Sequence, residues 1–475
     1  MAGVTGIGSG IDIDGIVKSM VAAERAPKET QLSTLEKKTT TQITAIGALK
    51  SALNDFQTAL ERLNKPELFQ ARSATSSKAD QVAVTASAQA GAGSYQLEVK
   101  SLATSSKVAL AAISDTSDAP AKFSGGSLEV RLGEDAFSVT VDERNNSLAG
   151  MRDAINTAGK AAGVSATIVS DEHGSRLVLS SSKTGAGRDI TVSVVNESAV
   201  QAGQVSLSTL VFDGSTSGDQ AGARVVTEAA SAELYVDGLK VISQTNKVEG
   251  AIEGVTLDLK AVTVESEPLT ISVAEDKAGV KKQVQTFVDS YNKLIGVISA
   301  QTKVTAVGDG KPPVTGALVG DATARGLLST IRNELVNLQG DGGLRALTDI
   351  GITTQKDGTL AIDSGKLDKA MANNFSELPG LFTGDKGLAS RLTAKLKPYT
   401  ETGGILEQRN KAMTETISDI DKQKENLNLR ITSLQERLFK QFNAMDLLVG
   451  QLTNTSNSLL ASLENLPWAV NNSKK

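Results

Sequence analysis

The chain has 475 residues, and its formal charges almost cancel, with 49 lysine and arginine residues against 54 aspartate and glutamate residues. Charges of both signs are mixed along the sequence, which does not favour a nucleic-acid surface as the main function. The sequence contains no cysteine and one histidine, so disulfides, thiolate nucleophiles and zinc-thiolate sites are excluded.

The N-terminal region is predicted to form two successive helices. The glycine-rich stretch Gly6–Gly10 superficially resembles a phosphate-binding loop, but no strand precedes it, so a flexible leader is favoured. A short helix over Asp12–Arg25 is expected next. Proline is tolerated at the start of a helix and disfavoured inside one, so Pro27 is predicted to separate it from a long helix over Lys28–Leu63.

The long N-terminal helix and a helix near the C-terminus both carry apolar residues at alternating spacings of three and four. The first set is Leu32, Leu35, Ile46, Leu49, Leu53, Phe56, Leu60 and Leu63. The second set is Met413, Ile417, Ile420, Leu427, Ile431, Leu434, Leu438, Met445, Leu448 and Leu452. Polar residues fill the remaining positions of the pattern, namely Thr39, Gln42, Lys424 and Gln441. One helix cannot bury so narrow a stripe, and the partner is either the other end of this chain or a neighbouring subunit.

The middle of the chain is predicted to contain short antiparallel strands. The predicted strands are Val82–Val84, Tyr95–Val99, Leu128–Leu132, Phe137–Val141, Ala166–Val169, Leu177–Leu179, Ile190–Val195, Glu233–Val236, Lys240–Ser243, Val255–Ala261 and Leu269–Val273. One helix is expected among them over Ser147–Ala161, with Ser147 as its N-cap. Turn residues at Gly174 and at Asp237-Gly238 predict hairpins.

Helical periodicity returns after the strands. The predicted helices are Ala278–Ala300, Ala322–Leu338, Lys366–Asn373 and Leu388–Tyr399. Asp321 is expected to be the N-cap of the second of these helices. Asp357-Gly358 lies between two short apolar runs and predicts a further hairpin.

These elements predict an α+β multidomain protein with coiled-coil-like terminal helices, a mixed helical domain and a nested antiparallel β-rich head. At about 150 residues per domain, the length allows roughly three domains or more. The predicted segments are an N-terminal leg at 1–72, a central mixed domain in two parts at 73–108 and 275–404, a nested head at 109–274 with a subdomain at about 123–200, and a C-terminal leg at 405–475.

Few residues could support catalysis or bind a metal. His173 lies in a predicted turn and lacks a second imidazole or thiolate, so a solvated histidine is favoured. Asp12 and Asp14 lie beside a helix start, where carboxylates cap the helix. We therefore expect no enzyme activity, no cofactor and no metal site. We also expect no membrane span, because no apolar stretch reaches roughly 18 uncharged residues. We expect no classical secretion signal, because the N-terminus lacks both a basic region and an apolar region.

Several motifs together resemble those of the flagellar hook-associated protein 2 family, the family of the flagellar filament cap. The opening Gly6–Val17 is similar to its N-terminal signature. Phe137–Val195 resembles the inserted flagellin-type module, and Gly254–Leu259 and Asp349–Leu360 resemble the C-terminal half. The resemblance covers nearly the whole chain, and the order of the motifs is more specific than any one of them.

The resemblance implies a structural protein that forms a ring-like cap at the distal end of a bacterial flagellum. Such a cap promotes the insertion and polymerisation of flagellin and prevents its leakage. The implied partners are other copies of this chain, flagellin, the hook-filament junction protein and an export chaperone on the C-terminal helix, with neither nucleic acid nor membrane among them. The implied location is extracellular, after export by the flagellar apparatus without a cleaved signal peptide.

The terminal helices would be the legs of such a cap. The expected assembly interface consists of Leu49, Leu53, Phe56, Leu60, Ile431, Leu434, Leu438, Leu448 and Leu452. Two other functions are compatible with the sequence. One is a surface adhesin that binds host mucus or glycans through the β-rich head, and the other is a flagellin-like filament or junction subunit.

Overall fold

A computed structural model describes residues 10–115, 120–265, 267–308, 310–338 and 342–464. The glycine motif at Gly6–Ser9 and the part of the predicted C-terminal leg beyond 464 lie outside these residues. The chain divides into two compact units. We call Met1–Leu68 together with Lys277–Lys475 the helical unit, and Phe69–Asp276 the strand unit.

The bounds of the elements are as follows. The helices are α1 (Ile13–Leu63), α2 (Pro66–Gln70), α3 (Leu148–Ala158), α4 (Lys277–Thr302), α5 (Ala322–Val336), α6 (Ser364–Asn373), α7 (Leu378–Phe382), α8 (Leu388–Thr400) and α9 (Ile405–Glu464), with 3-10 turns at Leu207–Leu210, Leu347–Ile350 and Phe375–Glu377. The strands are β1 (Arg72–Ser76), β2 (Val82–Ala86), β3 (Gly93–Ser101), β4 (Ser105–Ala109), β5 (Lys122–Phe123), β6 (Gly126–Leu132), β7 (Asp135–Val141), β8 (Val164–Asp171), β9 (Gly174–Thr184), β10 (Ile190–Glu197), β11 (Gln204–Val205), β12 (Arg224–Thr227), β13 (Ala232–Val236), β14 (Leu239–Ser243), β15 (Lys247–Ile252), β16 (Val255–Leu259), β17 (Leu269–Glu275), β18 (Val304–Thr305), β19 (Val314–Thr315), β20 (Ile352–Thr354) and β21 (Leu360–Ile362).

Helix α1 begins immediately after Asp12. The Asp12 carboxylate accepts a hydrogen bond from the Gly15 N–H at 2.9 Å, which satisfies one of the unpaired donors at the helix start. The next carboxylate, Asp14, lies 2.6 Å from Lys18 Nζ, one turn further on. The predicted capping role of Asp12 is therefore confirmed.

The predicted helix break at Pro27 is wrong, because α1 continues through it. An internal proline removes one helical hydrogen bond and costs about 3 kcal/mol. Apolar side chains of α1 are buried against α9 on both sides of the proline, with Val17 before it and Leu32 after it. Each such burial contributes about 1.5–3 kcal/mol, which offsets the cost and keeps the helix continuous.

The second half of α1 packs on α4 and α8 in the core of the helical unit. The Phe56 ring centroid lies 5.7 Å from that of Phe287 and 5.8 Å from that of Tyr291. The Tyr291 hydroxyl donates to the Gly358 carbonyl at 2.8 Å, and burial raises the pKa of this hydroxyl. This bond joins α4 to the β20–β21 hairpin, so the aromatic cluster and the hairpin form one core.

The local predictions for the helical unit are largely confirmed. Asp321 caps α5 by accepting the Ala324 N–H at 2.9 Å. The hairpin predicted at Asp357-Gly358 is formed by β20 and β21, and α5 ends at Val336, two residues before its predicted end.

The strand unit contains two apolar cores. Sheets with the orders β1-β17-β3-β13-β14 and β15-β16-β2 contribute to one core. Sheets with the orders β12-β4-β9-β8 and β10-β6-β7 contribute to the other, together with α3, whose N-cap is the predicted Ser147. In the described residues the paired strands are antiparallel except β5 and β11, which are parallel. The predicted α+β class with an antiparallel β-rich region is confirmed.

The β13–β14 hairpin shows how turn chemistry sets strand pairing in this unit. Asp237 and Gly238 have φ values of 49° and 81°. A two-residue turn with positive φ at both central positions has the right-handed twist of the strands it joins. Asp237 Oδ1 also accepts the Gln96 N–H at 2.8 Å, which holds the turn beside β3.

The predicted central domain needs correction. Segment 73–108 lies in the strand unit, where β1 pairs with β17 and β3 pairs with both β17 and β13. The helices predicted to join it, from Lys277 onward, lie in the helical unit with α1. The reason is that the backbone N–H and C=O groups of β1 and β3 are hydrogen-bonded to neighbouring strands, whereas the apolar face of α4 is buried by α1.

Candidate assembly interface

Helices α1 and α9 lie side by side in antiparallel order within the helical unit. Successive ion pairs between them are Lys50–Glu407 at 3.5 Å, Glu36–Lys424, and Glu24–Arg430 at 2.7 Å. Residue numbers fall along α1 as they rise along α9, which fixes the direction. Exposed ion pairs contribute about 0–1 kcal/mol each, so they set the register more than they stabilise the pair.

Two apolar clusters lie between these helices. In one, Leu32 packs against Ile420, Leu427 and Ile431 of α9. In the other, Ile13 and Val17 pack against Leu438. The sequence left the origin of the partner helix open, and in this structure α1 and α9 of the same chain cover each other's stripes.

The residues of the predicted assembly interface fall into three groups. Leu49, Leu53, Phe56 and Leu60 are buried in the core of the helical unit. Ile431 and Leu438 are buried between α1 and α9, with Leu434 half-buried beside them. Leu448 and Leu452 are 59% and 68% exposed. Only the last two could contact another protein without separation of helices that are packed in this chain, and binding by any of the nine stays a prediction.

Helix α9 continues well beyond the α1 residues that the structure describes. The apolar pattern continues with it, and four further leucines missed by the sequence analysis are exposed at Leu447, Leu459, Leu460 and Leu463. Leu459 and Leu463 follow Leu452 at spacings of seven and four, so extending the pattern by one more repeat would have found them. We call Leu447, Leu448, Leu452, Leu459, Leu460 and Leu463 the distal leucine surface.

The end of α9 also differs from its beginning in charge. From Gln441 to Glu464 the only charged residues are Asp446 and Glu464, whereas lysine, arginine, aspartate and glutamate recur throughout Ile405–Lys440. The uncharged positions between the leucines are mostly asparagine, glutamine, serine and threonine. A helix with exposed leucines and few charged side chains is poorly soluble when it is alone. Such a surface is typical of a protein-binding site that a partner covers.

A salt bridge fixes the other end of α9 to the helical unit. The Arg409 guanidinium donates to both carboxylate oxygens of Asp321, at 2.8 and 2.5 Å. This side-chain hydrogen bonding, with the Ala324 N–H, holds the pKa of Asp321 below its usual range. Sequence analysis identified Asp321 as an N-cap but gave no signal for Arg409, because the two are far apart in the chain.

The one histidine of the sequence is exposed. His173 lies in the β8–β9 turn with its Nε2 3.5 Å from Glu172 Oε1, and its backbone N–H donates to the Asp171 carboxylate. Within the described ranges no group of three or more histidine, cysteine, aspartate or glutamate residues could hold a metal ion. None of the described helices combines the length and apolar character needed to span a bilayer.

Comparison with known protein families identifies the family of this chain. Residues 9–106 match the profile described as the flagellar hook-associated protein 2 N-terminus, and residues 229–454 match the profile of its C-terminus. The chain is also 50% identical over 473 residues to the B-type flagellar hook-associated protein 2 of Pseudomonas aeruginosa, covering 98% of this chain and 99% of that protein. The chain belongs to the flagellar hook-associated protein 2 family.

Other members of the flagellar hook-associated protein 2 family give the same result. The A-type protein of Pseudomonas aeruginosa is 47% identical and covers 99% of both chains, and the Escherichia coli protein is 33% identical and covers 97% of both. The crystal structure of the D1-D2-D3 domains of the flagellar cap protein FliD from Escherichia coli is similar with a TM-score of 0.59 and 30% identity, covering 78% of this chain and 99% of that one. Residues 132–183 match the flagellin hook IN motif, inside the insert predicted at about 123–200. The predicted family is confirmed.

Proposed function

We propose that this chain forms the cap at the distal end of a bacterial flagellar filament, where it promotes the insertion and polymerisation of flagellin and limits its leakage. Two facts support the proposal: the chain belongs to the hook-associated protein 2 family along its length, and a similar solved structure is that of a flagellar cap protein. The function is structural, and it depends on surfaces that bind other proteins.

The observation that carries the proposal is the distal leucine surface at the end of α9. At 1.5 Å per residue, the segment from Asn443 to Glu464 is about 33 Å long, which is enough to contact several neighbouring helices. Covering each leucine that is now about half exposed or more would contribute about 1–2 kcal/mol. Leu448 and Leu452, at the start of this segment, are the predicted interface residues that remain available.

The test is a pair of charge substitutions in the full-length protein. Leu448→Asp with Leu452→Asp should leave both units folded, since both side chains are exposed, and should abolish filament growth in a strain that lacks the native gene. Gln451→Asp with Asn454→Asp adds the same charge to exposed positions of the same helix and is the matched control, with growth expected near the native level.

Filament length by electron microscopy is the measurement, with flagellin released into the medium as a second one. Short or absent filaments with released flagellin for the leucine variant alone support the proposal. Normal filaments from the leucine variant would refute a role for this surface in the cap.

The same surface suggests the order in which α9 binds its partners. We propose that an export chaperone covers the distal leucine surface before export, that the chain leaves through the flagellar export apparatus without a cleaved signal peptide, and that the surface then contacts other copies of the chain, flagellin or the hook-filament junction protein. Six exposed leucines within 17 residues would otherwise favour aggregation before export. Pull-down of a chaperone by the native chain and by the control variant, with loss in the leucine variant, is the expected result.

A further inference from the structure

Strand β14 forms one edge of the five-stranded sheet β1-β17-β3-β13-β14. It pairs with β13 on one side, and in the described residues no strand pairs with its other side. An open edge presents a row of backbone N–H and C=O groups with which another polypeptide can pair. Folded proteins therefore protect such edges with bulges, charges, a covering element or a very short strand.

The other sheet edges in the described part of the strand unit carry such protection. The pairing of β10, β12 and β15 with their neighbours is interrupted by a shift of register. Strands β7 and β8 contact α3, and β1 and β2 contact each other. Strands β5 and β11 have two residues each. In contrast, β14 has five residues and pairs with β13 in a continuous register, so none of these devices protects it.

The turn before β14 determines which of its backbone groups are free. Asp237-Gly238 is a two-residue turn, so Leu239 forms a hydrogen-bonded pair with the residue on the other side of the turn. Such pairs alternate with non-hydrogen-bonded ones along an antiparallel ladder, so Val241 also bonds to β13. The N–H and C=O groups of Lys240 and Ile242 then point away from β13. The edge therefore offers two donors and two acceptors.

The side chains of β14 are also uncovered. Leu239 is 73% exposed and Ile242 is 65% exposed, more than any other large apolar side chain in the described strand unit. Val241 is half-buried at the rim of the apolar core beneath the sheet. The one charge is that of Lys240, whose Nζ lies 2.9 Å from Glu233 Oε2. Strand β14 thus presents apolar side chains on both faces and a neutralised charge, which makes it prone to pair with another chain.

The size of this edge argues against a second folded copy as its partner. Five residues at about 3.4 Å each give a length of about 17 Å, and a sheet layer is about 10 Å thick. The edge therefore presents on the order of 200 Å² to a partner, about a quarter of the roughly 800 Å² per partner that stable interfaces bury. A short extended segment needs no more than this, because main-chain hydrogen bonds along the edge hold it and its alternate side chains cover both faces.

We propose that β14 is a binding site for an extended, uncharged segment of another polypeptide, which adds to the sheet as a sixth strand. The backbone of the segment pairs with Lys240 and Ile242, and its apolar side chains cover Val241 on one face and Ile242 on the other. Such a segment belongs to a chain that is unfolded where it binds, since folded proteins protect their own edges. The proposal goes beyond the cap function and rests on the geometry of the sheet alone.

The test uses a fluorescent peptide of about seven residues that alternates threonine with valine and has both ends blocked. This peptide has the β-branched, uncharged side chains that suit the edge. Its binding to the full-length chain is measured by fluorescence anisotropy. The control peptide has the same side chains and a methyl group on each backbone nitrogen, so it cannot donate hydrogen bonds to the edge.

Two variants of the full-length chain change the edge in different ways. Ile242→Lys adds a charge where the segment would lie. Ile242→Pro removes an N–H donor that does not contribute to the pairing with β13. Val226→Lys adds the same charge to an exposed position of β12 and is the matched control. Amide exchange of β13 in each variant shows whether the hairpin stays folded, and Ile242→Lys decides if Ile242→Pro opens it.

The native chain and Val226→Lys are expected to bind the peptide equally well. Ile242→Lys, Ile242→Pro and the methylated peptide should each weaken binding at least tenfold, and the peptide should slow amide exchange within 239–243 of the native chain. The proposal is overturned if the native chain does not bind the peptide, or if the methylated peptide or Ile242→Lys gives equal binding. It is also overturned if Ile242→Lys abolishes self-association in sedimentation while the native chain leaves the peptide unbound, since the edge would then pair with a second copy.

Discussion

The carboxylate of Glu197 should be a measurable source of stability in the strand unit. Its Oε1 accepts from the Ser124 hydroxyl at 2.5 Å, the Ser206 hydroxyl at 2.8 Å and the Leu207 N–H at 2.7 Å. Its Oε2 accepts from the Ser208 hydroxyl at 2.7 Å. These bonds join the end of β10 to the strand that precedes β6 and to the 3-10 turn at Leu207–Leu210. We expect Glu197→Gln to weaken these hydrogen bonds and so to loosen the three segments that they join.

The size of this stabilisation follows from the pKa of Glu197. Hydrogen bonding, first from Ser124 and then from Ser208, lowers the pKa of Glu197 from 4.5 to about 2. At about 1.4 kcal/mol per pKa unit the full shift would be worth about 3.4 kcal/mol. The carboxylate is partly in contact with solvent, so we reduce this to about 1–2 kcal/mol. Since the folded-state pKa is the lower one, the contribution is complete above about pH 4.5 and is lost as the pH falls toward 2.

Amide exchange followed by mass spectrometry on the full-length chain is the assay, because it reports the free energy of opening for β10 and the following turn by themselves. Glu197→Gln should raise exchange there at pH 7 by about five- to thirtyfold, with a smaller difference from the native chain at pH 3. Glu143→Gln changes an exposed carboxylate in the same unit and should have no effect. Equal exchange in the native and Glu197→Gln chains at pH 7, or a difference that does not shrink at pH 3, would refute this reasoning.

Two other predictions concern the helical unit. Phe56→Ala removes a fully buried ring that contacts Phe287 and Tyr291, and should lower the free energy of unfolding by about 3–5 kcal/mol. The measurement is urea unfolding followed by the circular dichroism of the helices. A loss below about 1 kcal/mol would contradict the packing described. Pro27→Ala restores a hydrogen-bond donor inside α1 and should stabilise the N-terminal half of this helix by up to about 3 kcal/mol, seen as slower amide exchange around residues 23–31. Unchanged exchange there would mean that the proline is not a weak point.

Much of the fold could be predicted because the local signals were strong. The caps at Asp12, Ser147 and Asp321 each accept a backbone N–H within the first turn, which is a contact between near neighbours in sequence. The hairpins at Asp237-Gly238 and Asp357-Gly358 depend on turn residues alone. Interactions of this kind are encoded within a few residues, so the sequence specifies them directly.

The errors arose where distant segments decide the outcome. At Pro27 the local rule predicted a break, but packing against α9 outweighs it. Segment 73–108 was placed with the wrong partner, because a strand's pattern does not say which strand it will pair with. The predicted interface was too broad for a similar reason: the spacing that marks Leu53 and Leu448 is the same, and only the tertiary structure shows that one is buried and the other exposed.

The pairing of α1 with α9 has a consequence for the order in which the molecule is completed. The helix that begins at Ile13 finds its cover in a helix that starts at Ile405, so nearly the entire polypeptide must emerge before the first element can finish folding. Closing so long a loop is entropically costly and slow, so the apolar stripe at the start of α1 stays uncovered until the 60 residues of α9 are present. The helical unit of a nascent or partly delivered chain is therefore incomplete until α9 arrives, whereas the strand unit has two apolar cores of its own and does not need α9.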